Sequence, residues 1–278
     1  MIKRRYIFYI LSTIIFLFGG FAPNIFNINY GIDLKGGQLI EIRTSLKDIN
    51  FILKEMNISG DLTKTKDSII LKTRNVDPNL LLNEIKRYDQ NAKIVKLDEI
   101  SPSLSGELVK KSHLAILFVL LGIGIYITIA FWEKRGLISG FLFGIVTVIT
   151  LFHDVIGSLG VFTLLSHIYN FEFNINIIIA FLLVASFSTH DTIVVFDRLR
   201  ENLKRAGKIS EDIFENSIRQ TIVRSTNISL TIILSILPLL FLIENIKPFA
   251  LVLIIGTIIG TYSSLFLATP LVYDLTRK

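Results

Sequence analysis

Six stretches of this chain are almost continuously apolar, and one long stretch between the first two is not. The apolar runs cover residues 6–21, 114–131, 137–165, 174–196, 228–243 and 249–272. A helix needs roughly 20 residues, at 1.5 Å rise each, to cross about 30 Å of hydrocarbon. Each run reaches that length or nearly so, and the pattern predicts six membrane-spanning helices. The fifth run is short, so its helix is expected to begin near Thr221. Pro23 and Asn24 read as the exit of the first. Its basic start and apolar run also fit a secretory signal; with no small-x-small site following cleanly, the reading is a retained anchor.

The polar region, residues 25–112, alternates strand-like and helix-like patterns. Residues 38–44 read as a strand, with Ile40 and Ile42 on one side and Leu39, Glu41 and Arg43 on the other. Residues 46–56 carry helical spacing at Leu46, Ile49, Leu53 and Met56. Residues 58–63 and 68–73 read as a hairpin turning over 64–67. Asp77 before Pro78 is a helix start, with Asp as the cap and Pro in the first turn. Leu81, Leu82, Ile85 and Tyr88 form that helix's apolar face, and residues 93–97 make a last strand. The order β-α-β-β-α-β predicts a small α+β, ferredoxin-like domain. Three segments follow: residues 1–24, a first membrane helix; 25–112, the α+β domain; and 113–278, five further helices. The fold class is a polytopic α-helical membrane protein.

Composition agrees. Of 278 residues 51% are hydrophobic and only 19% charged, with mean hydropathy +0.59, too little charge for a soluble domain of this length. The formal charge of +6 is dispersed over short segments beside the apolar runs, which argues for topology signals over nucleic-acid binding. The stretch from Arg198 to Lys208 is read the same way, facing acidic lipid headgroups. No cysteine is present, which removes thiol nucleophiles, disulfides and thiolate metal sites. The polar region has neither a phosphate-binding glycine loop nor a metal-ligand cluster, so no cofactor, metal or enzymatic activity is expected.

The basic residues also orient the chain. Lys3, Arg4 and Arg5, then Lys134 and Arg135, then Arg198, Arg200, Lys204, Arg205, Lys208 and Arg219, then Arg277 and Lys278 fall on one side. On the other, residues 166–173 carry no Lys or Arg and 244–248 only Lys247. By the positive-inside rule both termini are cytoplasmic, and the α+β domain lies outside.

Ionisable residues inside the spans are the candidates for function. A charged Asp at mid-depth costs roughly 3 kcal/mol or more, and persists where it faces protein or water with a partner. Asp191 lies 17 residues beyond Asn174, and Arg224 lies 19 residues before Ile243. At 1.5 Å per residue both sit about 25–28 Å from the outer face, so the two are candidate partners on neighbouring helices. An arginine nearby favours the ionised carboxylate and burial the neutral acid, the conflict a protonation switch requires. A static ion pair that fixes packing, or an arginine that snorkels to the surface, is the competing reading. His153 and Asp154 in the third span, and His190 beside Asp191, extend the first reading toward a proton path; His153 alone is also an ordinary core histidine. Gly157 and Gly160 read as a close helix contact. Ser225, Thr226, Ser229 and Thr231 fit a hydrated path and plain helix capping equally. His113 and His167 flank spans as interface residues. Gly31-Ile-Asp-Leu-Lys-Gly-Gly37 reads as a structural junction, with Gly36 and Gly37 allowing a tight turn and Asp33 bonding the loop's own N–H groups.

Three of these stretches carry a resemblance. Gly31-Ile-Asp-Leu-Lys-Gly-Gly37 is similar to a G-x-D-[FL]-x-G-G motif. Asp191-Thr-Ile-Val-Val-Phe-Asp-Arg-Leu-Arg-Glu-Asn202, which includes Asp197 and Arg198, is close to N-D-T-I-V-V-F-D-R-I-R-E-N. Gln220-Thr-Ile-Val-Arg-Ser225 with Ser229 and Thr231 is similar to Q-T-L-x-R-T-x-x-T-S-x-T-T. Phe152-His-Asp154 fits the family's F-H-D, and residues 101–108 are a looser match to the segment before the second span. Nearly the whole chain thus resembles the SecD/SecF family of the bacterial Sec export machinery, on its SecF side. The resemblance implies an RND-like six-helix fold in the bacterial cytoplasmic (inner) membrane. It implies work with SecD beside the SecYEG channel on a translocating polypeptide, coupled to the proton gradient, and it places the proton site at Asp191 and Arg224. The chain departs from the family pattern in having His190 where Asn is usual, Ser186-Phe187 for Gly-Tyr, and Ile228 and Ile232 for threonines. A non-transporting scaffold of a channel complex, or half of an RND-type exporter, are the competing functions.

Overall fold

The computed structural model describes residues 1–46, 48–64, 68–74, 76–132 and 136–277, with the backbone alone for Pro102 and Ser103. The expected turn at 65–67 and the charges Lys134, Arg135 and Lys278 lie outside the described residues. The chain divides into a helical unit, Met1–Asn29 with Leu114–Lys278, and an α+β unit, Tyr30–His113.

In chain order the α+β unit holds α2 (Ile32–Lys35), β1 (Gly37–Arg43), α3 (Asn50–Glu55), β2 (Gly60–Lys64), β3 (Ser68–Thr73), α4 (Pro78–Lys86) and β4 (Lys93–Ile100). The sheet order is β2-β3-β1-β4 with every neighbouring pair antiparallel, which is the ferredoxin-like arrangement. Alternation decides the core: Ile40 and Ile42 of β1 and Ile69 and Leu71 of β3 point to one face, where they meet Ile52 and Leu53 of α3 and Leu81 and Ile85 of α4. The Asp77 carboxylate caps α4, accepting from Asn79 N at 2.8 Å.

Two expectations shift here. The helix expected over 46–56 is confined to α3, because Asp48 accepts from Asn50 N at 3.0 Å and starts it there; Leu46 and Ile49 still pack on the core from outside the helix. Tyr88 falls past the end of α4 and is 53% exposed, edge-on to Phe51 at 5.0 Å between ring centres.

One buried carboxylate ties this unit together. Asp89 accepts from Ser45 N at 2.6 Å, Thr44 Oγ1 at 2.8 Å, Ser45 Oγ at 3.0 Å and Asn91 N at 3.1 Å. The Ser45 amide and the Thr44 hydroxyl hold its carboxyl at a pKa of about 2, below the roughly 3.9 of a free Asp. A depressed value means that the stabilisation is complete above the unfolded value and is lost as pH falls through about 2. Protection of the β1 and β3 amides in the full chain, taken relative to the intrinsic exchange rate at each pH, is therefore expected to fall between pH 5 and 2, and Asp89→Asn to flatten that dependence while lowering protection at neutral pH. An unchanged acid profile in the variant would exclude Asp89 as its source.

Among the described residues, six helices are long and apolar enough to cross a membrane. They are built on α1 (Arg5–Phe26), α5 (Pro102–Ala130), α6 (Gly140–Tyr169), α7 (Ile175–Ala206), α8 (Glu211–Leu242) and the succession α9 (Lys247–Ser263), a π-helical turn (Ser264–Ala268) and α10 (Thr269–Thr276). α1 does not stop at Pro23. The proline only withholds its own N–H, and the helix continues to Phe26, as membrane helices tolerate. α8 starts at Glu211, well before the apolar run, because its first turns bury Phe214 and Ile218 on one side.

α6 and α7 are the most enclosed of the uninterrupted helices, and both pack against α9. Gly160 of α6 and Gly19 of α1 touch: a Cβ on Gly160 would lie 2.5 Å from the Gly19 Cα. At one end of this unit Arg5 Nε meets Asp274 at 2.8 Å, and the terminal amine meets Glu215 at 2.6 Å. The two chain ends therefore lie at the same end of the bundle.

Candidate functional site

The site lies midway along α7. Asn174 caps this helix, its side chain accepting from Ile177 N, and Gly207 closes it in the left-handed conformation. Between them Ser188, Asp191, Thr192 and Val195 recur at helical spacing and are all buried. Asp191, 4% exposed, points to α8 and α9. Its Oδ2 accepts from Thr261 Oγ1 at 3.0 Å and, more weakly, from Ser229 Oγ at 3.4 Å. These two hydroxyls also bond to each other, and each reaches the carbonyl four residues back, Thr257 and Ser225 respectively, at 2.9 Å. A hydroxyl has one proton to donate, so each must choose between the carboxyl and its own helix. Oδ1 of Asp191 and Oγ of Ser225 are buried without a hydrogen-bond partner among the described residues.

A cleft of about 350 Å³ opens beside this carboxyl, lined by Ser186, Phe187, His190, Ile228, Ile232 and Thr257 among others. His190 is exposed on it. The structure does not join Asp191 to Arg224. Arg224 is exposed and has no ion-pair partner among the described residues. Residues at one depth need not share a face, because successive residues of a helix turn by about 100°. Ser225 and Ser229 take the face toward α7, and Arg224 falls on the stripe that runs on to Ile228 and Ile232.

A second buried carboxyl lies in α6. Asp154 is fully buried. Its Oδ1 is 2.9 Å from His153 Nδ1, and its Oδ2 accepts from Ser188 Oγ at 2.5 Å and Ser263 Oγ at 2.8 Å. His153 Nε2 is buried with no partner among the described residues. Ser264 Oγ then bonds Thr192 Oγ1 at 2.9 Å, and Tyr262 donates to Phe8 O of α1 at 2.8 Å. The run Thr261-Tyr-Ser-Ser264 thus holds both carboxyls and two neighbouring helices. It was not singled out in the sequence; its signal is three hydroxyl residues and a tyrosine in succession inside an apolar span.

The remaining candidates stand apart from these carboxyls. Asp197 pairs with Arg200 at 2.9 Å and Arg198 with Glu201 at 2.5 Å, three residues on along α7. In the α+β unit Gly36 has φ +75° and Gly37 φ +141°. A Cβ at Gly37 would lie 2.7 Å from Thr73 O, so this motif is a junction into β1. Asp33 does not cap it: among the described residues its carboxylate makes no hydrogen bond to the loop N–H groups. Thr226 and Thr231 are exposed, Thr231 bonding Asn227 O. His113 is exposed, and His167 lies against the Phe26 ring at 5.4 Å. Among the described residues no group of His, Asp and Glu has a metal-binding arrangement.

Residues 81–278 match the family described as Protein export membrane protein SecD/SecF, C-terminal. The chain is 34% identical to Protein translocase subunit SecF of Thermobaculum terrenum, over 100% of this chain and 94% of that protein. It is 31% identical to Protein translocase subunit SecDF of Brucella abortus, over 90% of this chain and 34% of that longer one. The crystal structure of SecDF from Thermus thermophilus, described as a translocon-associated membrane protein, superposes on all of this chain. Its TM-score is 0.83 at 25% identity, and the chain spans 38% of its length.

Proposed function

The chain belongs to the SecD/SecF family of protein-export membrane proteins, on its SecF side, and we propose that it couples the proton gradient to late steps of protein export. In this reading it sits in the bacterial cytoplasmic membrane with both ends cytoplasmic and the α+β unit outside. It works there with a SecD-type subunit and the SecYEG channel on the translocating polypeptide. Fusion of the two partners into one chain in relatives such as SecDF supports the association with SecD. The basic residues gathered beyond Phe196, at the end of α7, support the orientation.

The observation that carries the reading is Asp191: a buried carboxyl midway along α7, held by hydroxyls that have alternative acceptors, with one oxygen free to take a proton. No lysine or arginine bonds to it among the described residues, so it is not locked as a static ion pair within this chain. In this reading Arg224, exposed beside the cleft, acts at the boundary with a partner subunit, and His190 on the cleft wall passes protons between that boundary and Asp191. One proton moved through 100 mV yields about 2.3 kcal/mol, enough for a few such steps to bias a two-state movement of the α+β unit.

The test is export of a preprotein into vesicles that contain the chain and its partners, under an imposed proton gradient. A late step that accelerates with the gradient only when the chain is present is the expected outcome. Equal acceleration in vesicles lacking the chain would overturn the proposal.

A further inference from the structure

We infer that His153 and Asp154 form a second proton-holding site, coupled to Asp191 across Ser188 and the segment Thr261–Ser264, so that the charge held at one site is felt at the other. The inference rests on the reading of Asp191 as a proton carrier and adds where its pH response is set.

Three observations lead to it. First, the dyad is sealed. Asp154 is fully buried and His153 is 4% exposed, yet His153 Nε2 has no hydrogen-bond partner among the described residues. A buried histidine kept only for packing would normally have both nitrogens satisfied; a free Nε2 beside a carboxylate-bound Nδ1 is a place for one proton. The dyad then has two states, singly negative or neutral. Second, Asp154 is surrounded by donors: His153 Nδ1, Ser188 Oγ and Ser263 Oγ. Three donors suit an ionised carboxylate, and Ser263 can release it for the Gly260 carbonyl at 3.0 Å.

Third, the two sites share their supports. Ser188 and Asp191 are one turn apart on α7, a separation that brings Cβ atoms within about 5–6 Å. Thr261, which holds Asp191, and Ser263, which holds Asp154, are two residues apart in the sixth span. They lie immediately before the π-helical turn at Ser264–Ala268, a feature often found at functional positions. Each carboxyl therefore takes one of its donors, Thr261 Oγ1 or Ser263 Oγ, from this one segment.

The other titratable groups nearby are otherwise engaged or exposed. Tyr262 donates to Phe8 O, and Arg5 and Tyr9 of α1 bond Asp274. His190, Arg224 and, on α5, His113 and Tyr126 are exposed. Among the described residues none of these bonds to either carboxyl.

Charge gives the sign. A negative dyad opposes ionisation of Asp191, so neutralising Asp154 should let Asp191 ionise at lower pH. Losing the Thr261 hydroxyl, a direct donor, should do the reverse.

The test is the pH dependence of Asp191 labelling by dicyclohexylcarbodiimide, which reacts with buried protonated carboxyls. It is read by mass spectrometry on the full chain in vesicles with its partners. Asp154→Asn is expected to move the labelling midpoint down by about one pH unit, tenfold in labelling at fixed pH. Ser263→Ala, which removes one donor to Asp154 and leaves the fold's charges intact, moves it the same way by less. Thr261→Val moves it up by about one unit, and Thr261→Ser restores it. A wild-type midpoint that both Asp154→Asn and Ser263→Ala leave in place overturns the coupling while sparing the role of Asp191. Where Asp154→Asn does not accumulate, Ser263→Ala alone decides. Labelling of wild-type Asp191 that is independent of pH overturns the proton-carrier reading itself.

Discussion

Asp191→Asn is expected to reduce gradient-driven export by about tenfold or more, to the rate seen when a protonophore collapses the gradient, with the protein still inserted and abundant. The substitution keeps the shape of the side chain and one oxygen acceptor. Thr261 and Ser229 can accept as well as donate, so an amide fits between them, and little packing energy is at stake. What disappears is the exchangeable proton. A carboxyl that only fixed helix packing would predict the opposite pattern: loss of protein level and of partner association together, with residual export still responsive to the gradient. Measuring abundance, co-purification and protonophore sensitivity in one series separates the two, and full gradient response in Asp191→Asn would exclude this carboxyl as the coupling site. Asp191→Glu serves as the control. It keeps the proton on a longer arm in a tight site, so partial gradient response is expected.

The dimension along each helix was legible in the sequence, and the dimension around it was not. A bilayer imposes a length, so six spans stood out from apolar runs alone, and the similarity of the chain to SecF proteins agrees with them. In the α+β unit, a sheet with one covered face imposes a period of two. Ile40 with Ile42, and the Asp77 cap on α4, could therefore be read directly. The azimuth of a side chain depends on which helices pack where, and no local pattern states it. Asp191 and Arg224 were matched by depth, yet one faces the bundle interior and the other its surface. The same gap hid Thr261 and Ser263. A hydroxyl in an apolar run looks like a neutral passenger bonding its own carbonyl until tertiary structure brings a carboxyl to it. Amphipathic segments were lost for a related reason: the first turns of α8 bury Phe214 and Ile218 but are too charged to register as part of a span.

Gly160→Ala is expected to be among the most damaging small substitutions in the helical unit. The added methyl would sit 2.5 Å from the Gly19 Cα and 2.9 Å from its nitrogen. Both are backbone atoms, so no rotamer change can relieve the clash, and α1 must move away from α6. Overpacking of cores costs about 1–3 kcal/mol when side chains can adjust; a backbone contact belongs at the upper end or beyond. Small residues are what permits such close approach between membrane helices, and neighbouring contacts depend on this seam, including Ile15 against Gly157. For a chain of this size a loss of 1 kcal/mol lowers the melting temperature by roughly 2–4 °C, so a fall of about 6 °C or more is expected in detergent-solubilised protein. Gly20→Ala, one residue from the seam, is the matched control. Nothing lies within 4 Å of its added methyl, and the better helix propensity of alanine, by up to about 1 kcal/mol, should leave stability unchanged or slightly raised. Equal melting temperatures for the two variants would show that the α1–α6 contact is looser than its geometry requires. A selective loss in Gly160→Ala would identify the seam as the anchor that holds α6, and with it Asp154, in place.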